Sequence, residues 1–190
     1  MKKEMLKLLK LNSLGLKRGD LRFDRNDEWV TIAERLKKEL QDFANENLEH
    51  IGSTAIRGLK AKPIIDFLLM YEGEDIANET IEKLESIGFT HKGDMLSKVN
   101  KTHCKYGRHF FALYDDEKTT DFVHIHALPK EDSEAKNLIL FRNSLRNDPS
   151  KVEFYNRFKQ KHIDEKTPRE AYRTSKSDLV EMIIGETSAH

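Results

Sequence analysis

Residue types that bind phosphate or metal are concentrated in one stretch, which runs from His50 to Asp66. Gly52 has no side chain, so the backbone can approach a ligand closely there, and Ser53 and Thr54 add hydroxyl and N–H donors. We expect a helix to start at these residues, where free amides and the helix dipole favour a phosphate. The loop therefore predicts an anion site, with a structural turn capped by a serine as the alternative.

Asp66 is the only charged residue in the apolar run 63–70. A strand that is apolar on both faces is typical of the middle of a covered sheet. A carboxylate in such a strand is costly, so it either pairs with Lys62 or an arginine, or it serves a functional site. Carboxylate oxygens hold Mg²⁺ or Mn²⁺, which bridge to substrate phosphates. We predict that Asp66 binds a divalent metal next to the phosphate loop.

Two histidines, His124 and His126, lie two positions apart in the predicted strand 121–128, so their side chains point to the same face. Imidazole binds Mg²⁺ poorly but suits Zn²⁺, Mn²⁺ or Fe²⁺. The alternatives are contact with metal or substrate, and simple hydrogen bonding to backbone carbonyls. Arg108 precedes an aromatic strand and is predicted either to neutralise a phosphate or to pair with a surface glutamate.

The spacing of apolar residues predicts the elements that position these side chains. Steps of three and four residues predict helices over residues 27–43, 76–87 and 133–146, with two more beginning near 148 and 168. Strands are predicted over residues 47–51, 63–70, 89–92, 108–114 and 121–128. The last two strands are expected to form an antiparallel hairpin.

This order of elements predicts one domain of the α/β (α+β) class, a mixed sheet flanked by helices with a helical C-terminal segment. We expect residues 1–26 to be an arm lying against the domain, residues 27–186 to be the domain, and residues 187–190 to be a polar tail. The helical C-terminal part is expected over residues 131–186.

The composition limits the classes of partner. Lysine plus arginine equals aspartate plus glutamate, at 33 each, so no overall field attracts nucleic acid or an anionic membrane. The only cysteine is Cys104, which excludes an intrachain disulfide and a multi-cysteine zinc site. The chain has a charged start and lacks an apolar run of about 18 residues, so we expect a cytoplasmic location. The sequence does not determine the oligomeric state.

The stretch from His50 to Asp66 resembles the signature of the GrpB family, which reads His-Ile/Val-Gly-Ser-Thr, Gly-Leu and Ala-Lys-Pro-Ile-Ile-Asp. It departs from that signature at Ile56-Arg57, where Val-Pro is commoner. Further matches follow in family order over nearly the whole chain: Gly15 to Gly19, Glu28-Trp29, Arg108, His124 to His126, Phe141 to Arg146, Asp148-Pro149, Tyr172 and Lys176.

The resemblance implies a nucleotidyltransferase-like fold, in which Gly-Ser lies beside a triphosphate and acidic residues on neighbouring strands hold divalent metal. The phosphate- or nucleotide-binding positions it implies are Gly52, Ser53, Thr54, Lys62 and Arg108. The catalytic and metal-binding positions it implies are Asp66, His124 and His126. Five other positions match the family: His50, Arg142, Arg146, Tyr172 and Lys176. A solvated face or a salt bridge is the ordinary explanation for the last four, which are expected on helices, and the alternative for His50 is that it braces the following loop.

The sequence departs from working nucleotidyltransferases at Leu68, where those enzymes carry a second acidic residue on the same strand face. The expected function is therefore that of a metal-dependent nucleotidyltransferase-like protein, which binds a nucleotide or another phosphorylated small molecule. The expected metal is Mg²⁺ or Mn²⁺, or zinc or iron if the histidines are ligands. The alternatives are a non-catalytic phosphate-ligand-binding module that lost the second carboxylate, and a metal-dependent hydrolase that uses the histidine pair.

Overall fold

The computed structural model describes residues 1–44, 47–73, 75–94 and 108–188. Cys104 and the last two residues of the predicted tail lie outside the described residues. None of the described helices is long and apolar enough to cross a membrane.

A six-stranded mixed sheet forms the centre of the fold, as predicted. Its strands are β1 (Leu16–Lys17), β2 (Leu48–Ile51), β3 (Ile65–Tyr71), β4 (Thr90–Asp94), β5 (His109–Tyr114) and β6 (Thr120–Pro129). The spatial order is β2-β3-β6-β5-β4, and β1 pairs with β6. Among the described strands only β3 and β6 are parallel to each other, while β5 and β6 form the expected antiparallel pair. The apolar strand that carries Asp66 therefore lies inside the sheet, between β2 and β6.

The sheet is flanked by helices, and the C-terminal part is helical, as the sequence predicted. The helices are α1 (Lys2–Leu11), α2 (Glu28–Ala44), α3 (Asn78–Ser86), α4 (Ser133–Asn147), α5 (Pro149–Asp164) and α6 (Arg169–Ser188). The side chain of Asp132 accepts a hydrogen bond from the Glu134 amide at the start of α4. Asp148 caps α5 in the same way, and Pro149 occupies the first turn, where its missing N–H costs nothing.

The two faces of the sheet have different surroundings. On β3, Ile65, Phe67 and Leu69 point into the main apolar core, which also contains residues of α1, α2 and α3. Successive strand residues alternate between faces, so Asp66 and Leu68 point to the opposite side. Leu68 packs there in a smaller apolar cluster with residues of α4. The site residues of β3 therefore lie on the face that α4 partly covers.

The N-terminal segment, predicted as an arm, contains a helix that was not expected. Met5, Leu6 and Leu9 of α1 are buried in the main core. The indole N–H of Trp29 donates to the carbonyl of Asn12 at 2.8 Å, which ties the segment to α2. A ten-residue helix is marginal by itself, so packing against the core is what stabilises it.

Candidate functional site

The pairing of β3 with β6 brings together the predicted carboxylate and the two predicted imidazoles. In the parallel register Asp66 lies opposite His124, and Leu68 lies opposite His126. His124 Nδ1 is 3.4 Å from Asp66 Oδ1, and His126 Nε2 is 3.5 Å from the same oxygen. The Asp66 side chain is 30% exposed, so a ligand can reach the carboxylate.

An aromatic ring of β5 supports the two imidazoles. The Phe110 ring centroid lies 4.9 Å from that of His124 and 5.2 Å from that of His126. The two imidazoles stand at 82° to each other, with centroids 6.5 Å apart. Packing against Phe110 therefore restricts the positions from which the imidazoles reach Asp66.

The three groups carry different charges at neutral pH. Burial acts to raise the pKa of Asp66, but hydrogen bonds and charges from His124 and His126 hold it well below its usual range. Burial acts to lower the pKa of His124, but Asp121 and Asp66 on either side raise it to about 9. Burial lowers the pKa of His126 to about 4, and the charge of Arg108 adds to this effect. The cluster thus contains a carboxylate, an imidazolium and a neutral imidazole.

Gly52 lies directly against the carboxylate. Its φ of 72° is in the left-handed region, and a Cβ at this position would lie only 2.8 Å from Asp66 Oδ2. Any side chain here would clash with Asp66 as well as strain the backbone. Glycine is therefore required for the loop after β2 to lie beside the acid.

The expectation that a helix starts at the phosphate loop is wrong. Residues Ser53–Ala55 form a single 3₁₀ turn, and Ile56 returns to an extended conformation with φ −124° and ψ 116°. Gly58 follows with a φ of 78°, which again interrupts any helical path. A three-residue turn has no appreciable dipole, so the dipole does not support anion binding here.

Two of the predicted residues in this loop support its structure instead. His50 and Thr54 are both buried, and His50 Nε2 lies 3.0 Å from Thr54 Oγ1. Burial lowers the pKa of His50 to about 3, so the ring is neutral at physiological pH. The pair braces the loop from β2 to the turn.

A buried lysine from α5 reaches the predicted phosphate loop. Lys159 is only 1% exposed, and its ammonium donates to Ser53 Oγ at 2.8 Å and to the carbonyl of Lys60. Burial and then the charges of Lys176 and Lys62 lower its pKa well below the usual value. No carboxylate of the described residues is among the groups that shift this pKa.

Lys62, Lys176 and Tyr172 surround Lys159, although they are far apart in sequence. Lys62 Nζ lies 5.8 Å from the ring centroid of Tyr172, and burial raises the pKa of the Tyr172 hydroxyl. Lys159 Nζ lies 4.0 Å over the ring of Tyr155. The fold thus groups three lysines near Ser53, and we call Lys62, Lys159 and Lys176 the lysine cluster.

Lys159 was not predicted as a site residue, although the sequence carries a signal for it. On α5, Val152, Tyr155, Lys159 and His162 recur at steps of three and four residues, which is the buried stripe of an amphipathic helix. A lysine in such a stripe is rarely buried unless a partner satisfies its charge. This position therefore indicated a functional or paired lysine.

Asp121 was also missed as a member of the site. Its Oδ2 lies 3.6 Å from His124 Nε2, and its Oδ1 accepts a hydrogen bond from Arg18 at 3.2 Å. The register shifts between β5 and β6 near Leu113 and Tyr114, so Phe122 is an extra residue in β6. This bulge brings Asp121 to the face of His124, which simple alternation does not predict.

Three predicted arginines are held by contacts within the protein. Arg108 pairs with Glu134 and lies 3.0 Å from His126 Nδ1, which matches the predicted alternative of a glutamate partner. Arg142 donates to Glu49 at 2.8 Å and to the His50 carbonyl at 3.0 Å. Arg146 donates to the Ala55 carbonyl at 3.0 Å. The last two arginines tie α4 to β2 and to the turn that follows it.

The side chains of Asp66, His124 and His126 suit a transition metal better than a pair of magnesium ions. One carboxylate and two imidazoles are ligands for zinc, manganese or iron. Within residues 1–44, 47–73, 75–94 and 108–188, no three His, Cys, Asp or Glu side chains are already arranged to hold a metal ion. Leu68 is fully buried where a second carboxylate would be needed. Asp66, His124 and His126 could therefore supply at most one set of ligands, and His124 would have to release its proton to join it.

Comparison with known proteins identifies relatives over most of the chain. The chain is 29% identical over 181 residues to the Glutamate-rich protein GrpB of Alkalihalophilus pseudofirmus, covering 91% of this chain and 99% of that protein. It is 32% identical over 149 residues to a UPF0157 protein of Pseudomonas aeruginosa, covering 75% of this chain and 55% of that protein.

Solved structures also resemble the fold. The crystal structure of the conserved protein GrpB from Enterococcus faecalis has a TM-score of 0.63 at 23% identity, covering 92% of this chain and 99% of that one. The Cid1 poly(U) polymerase has a TM-score of 0.44 at 12% identity, covering 80% of this chain and 44% of that one. The family model described as GrpB protein matches residues 23–186. The chain therefore belongs to the GrpB family.

Proposed function

We propose that this protein binds a nucleotide or another phosphorylated small molecule between the Ser53 loop and the lysine cluster. The observation that carries this proposal is the ammonium of Lys159, which is buried against Ser53. Its neighbours include two further lysines and, among the described residues, no carboxylate that shifts its pKa. Only Lys159 of the three is buried, and burying a lysine beside two further cations is costly unless an anion neutralises it. A phosphate would supply that anion.

A buried hydroxyl next to Lys159 supports the same proposal. Tyr155 is fully buried, and its hydroxyl has no hydrogen-bond partner of good geometry in the described part of the chain. The hydroxyls of Ser53 and Tyr172 are close enough to act on its pKa, which burial raises to about 12. An unsatisfied buried donor costs free energy, and a phosphate oxygen would satisfy it.

The position of Asp66 favours catalysis by nucleotidyl transfer to an acceptor that is still unidentified. Its carboxylate is accessible and lies against Gly52, the residue before Ser53. Asp66, His124 and His126 would hold a divalent metal, which would supply charge neutralisation at the phosphates. The lysines would neutralise the remaining phosphate charge, and Gly52 would let the substrate approach the carboxylate.

A second candidate is a binding protein that does not catalyse a reaction. Leu68 favours it, because a buried leucine replaces the second acidic residue that holds the second metal in two-metal enzymes. Both candidates need the lysine cluster to bind phosphate, so binding is tested first.

The binding test uses thermal unfolding with inorganic tripolyphosphate and the four nucleoside triphosphates, each with and without Mg²⁺ or Mn²⁺. At least one of these ligands should raise the melting temperature of the protein. Lys159→Met keeps the length of the side chain and removes the charge, and it should weaken binding by about tenfold or more. Lys161→Met is the matched control, because Lys161 is on the same helix and its side chain is 69% exposed. If no phosphate compound binds, or if both variants bind equally well, the proposal is wrong.

A further inference from the structure

A groove separate from the lysine cluster lies between α2, the turn at residues 55–58, and the junction of α4 with α5. Its volume is about 610 Å³, which falls within the range of roughly 300–1,000 Å³ for small-molecule sites. Ala55, Ile56, Leu145 and Val152 provide apolar surface along it. The groove can therefore cover the apolar part of a small ligand.

Three guanidinium groups line this groove, from Arg25, Arg57 and Arg146. The arginines that form ion pairs within the described residues are others: Arg18, Arg22, Arg35, Arg108 and Arg142. Glu34 and Glu153 also line the groove, which leaves one positive charge in excess. Glu34 and Glu49 act on Arg146 only at a distance, so the three guanidinium groups, which form no ion pair within 4 Å among the described residues, can bind an anionic ligand.

The wall of the groove is held in place before any ligand arrives. Asn156 accepts a hydrogen bond from the Lys60 amide at 2.7 Å and donates to the Gly58 carbonyl at 2.9 Å. The Gly58 amide donates to Asp27 at 2.6 Å. Arg146 Nε is fixed by its bond to the Ala55 carbonyl, which orients its guanidinium at the groove. Preorganised walls reduce the entropy lost on binding.

We propose that this groove is a second ligand site, which takes a small anion with a phosphate or carboxylate group on an apolar body. The arginines would bind the anionic group, and the apolar surface would cover the rest of the molecule. The turn that forms the groove directly follows Ser53, so the two sites lie on neighbouring parts of one loop. This proposal goes beyond phosphate binding at the lysine cluster and does not depend on it.

The test uses three probes of the same shape: 1-naphthyl phosphate, 1-naphthoate and uncharged 1-naphthol. Binding is followed by NMR through the backbone amide signals of Ile56, Gly58 and Val152. We expect one or both anions to shift these signals and to bind about tenfold more tightly than naphthol. The anion that binds more tightly shows whether the groove prefers a phosphate or a carboxylate group. If naphthol binds as tightly as both anions, or if these signals do not move, the proposal is overturned.

Variants separate this site from the lysine cluster. The double variant Arg25→Gln/Arg57→Gln changes two exposed side chains and should weaken anion binding about tenfold. Arg157→Gln, an exposed arginine of α5 outside the groove, should leave the affinity unchanged. Lys176→Met changes an exposed member of the lysine cluster and should also leave it unchanged. Loss of naphthyl anion binding in Lys176→Met would assign the probes to the lysine cluster and would contradict the proposal.

Discussion

At the scale of single residues, the contact between Gly52 and Asp66 determines how closely the loop after β2 approaches the acid. A Cβ at Gly52 would lie 2.8 Å from the Asp66 carboxylate. The carboxylate is ionised, since the two imidazoles hold its pKa well below the usual range against the effect of burial. The loop therefore lies next to a permanent negative charge, and only glycine fits there.

Gly52→Ala should lower the free energy of unfolding by about 2 kcal/mol, because backbone strain and a steric clash both act at this position. Gly93→Ala is the matched control, since its φ of 73° is nearly the same and nothing lies within 4 Å of an added Cβ. Urea unfolding of both variants measures the difference. Equal losses of stability would show that the contact with Asp66 has no energetic effect.

Asp66→Asn tests whether the group formed by Asp66, His124 and His126 is catalytic. We expect nucleotidyl transfer to fall about 100-fold or more, because the amide is a poor metal ligand and carries no charge. Binding of tripolyphosphate to the lysine cluster should change little. The assay follows release of labelled pyrophosphate from the nucleoside triphosphate that stabilises the protein most, in the presence of Mn²⁺. Unchanged turnover in the variant would exclude a catalytic role for Asp66.

The proximity of Asp66 to His124 and His126 could be predicted from sequence because strand alternation applies there. Asp66 interrupts one apolar strand, and His124 and His126 interrupt another. The two strands are neighbours in the sheet, so the three side chains lie close together. Lys159 could not be placed at Ser53, because that contact joins residues 106 positions apart. A contact between residues so far apart in sequence depends on how α5 packs against the rest of the fold. The periodicity of α5 alone does not predict that packing.

At the scale of elements, α5 matters most, because it brings Lys159 to Ser53. Its start is well defined by the Asp148 cap and by Pro149. The predicted start near residue 148 was correct since both signals are local in sequence. The expected helix at Ser53 was wrong because Ile56 is extended and Gly58 has positive φ, and both conformations are set by contacts of the folded chain.

Removal of the α5 cap should destabilise the protein. Asp148 accepts hydrogen bonds from the amide and the hydroxyl of Ser150, so Asp148→Ala should cost about 1 kcal/mol. Asp164→Ala removes the same charge at the opposite end of the helix, where an acidic residue is unfavourable to the dipole, and should cost little. Thermal unfolding compares the two variants. A larger loss for Asp164→Ala would contradict this account of the helix.

At the scale of the whole molecule, overall charge does not reveal the proposed sites. The net charge is zero, with 33 residues of each sign, yet three lysines gather around Ser53. The fold class followed from the order of helices and strands, since apolar patterns decide which faces must be buried. The packing of α1 into the main core was not predicted, although Met5, Leu6 and Leu9 recur at the steps of an amphipathic helix.

Global stability should depend on pH through His50. Burial, followed by the charge of Arg146, lowers the pKa of His50 to about 3. Between about pH 6.5 and 3 the unfolded chain binds a proton there and the folded protein does not, so stability falls as pH falls. At pH 5 this effect should cost about 2 kcal/mol relative to pH 7.5.

Urea unfolding at pH 7.5 and 5 should therefore show a smaller loss for His50→Gln than for the unchanged protein. Glutamine does not titrate in this range and can still donate to Thr54. The difference between the two proteins isolates His50 from the other titrating groups. Identical pH dependence would exclude His50 as a source of acid sensitivity.

The central claim is that a phosphate group binds between Ser53 and Lys159. The most direct test is a crystal structure of the protein soaked with Mn²⁺ and a non-hydrolysable analogue of the nucleotide that stabilises it most. The account predicts a phosphate oxygen about 3 Å from Lys159 Nζ, with the Asp66 carboxylate facing the same ligand. A nucleotide bound elsewhere, with Lys159 still bonded only to Ser53 and Lys60, would contradict it.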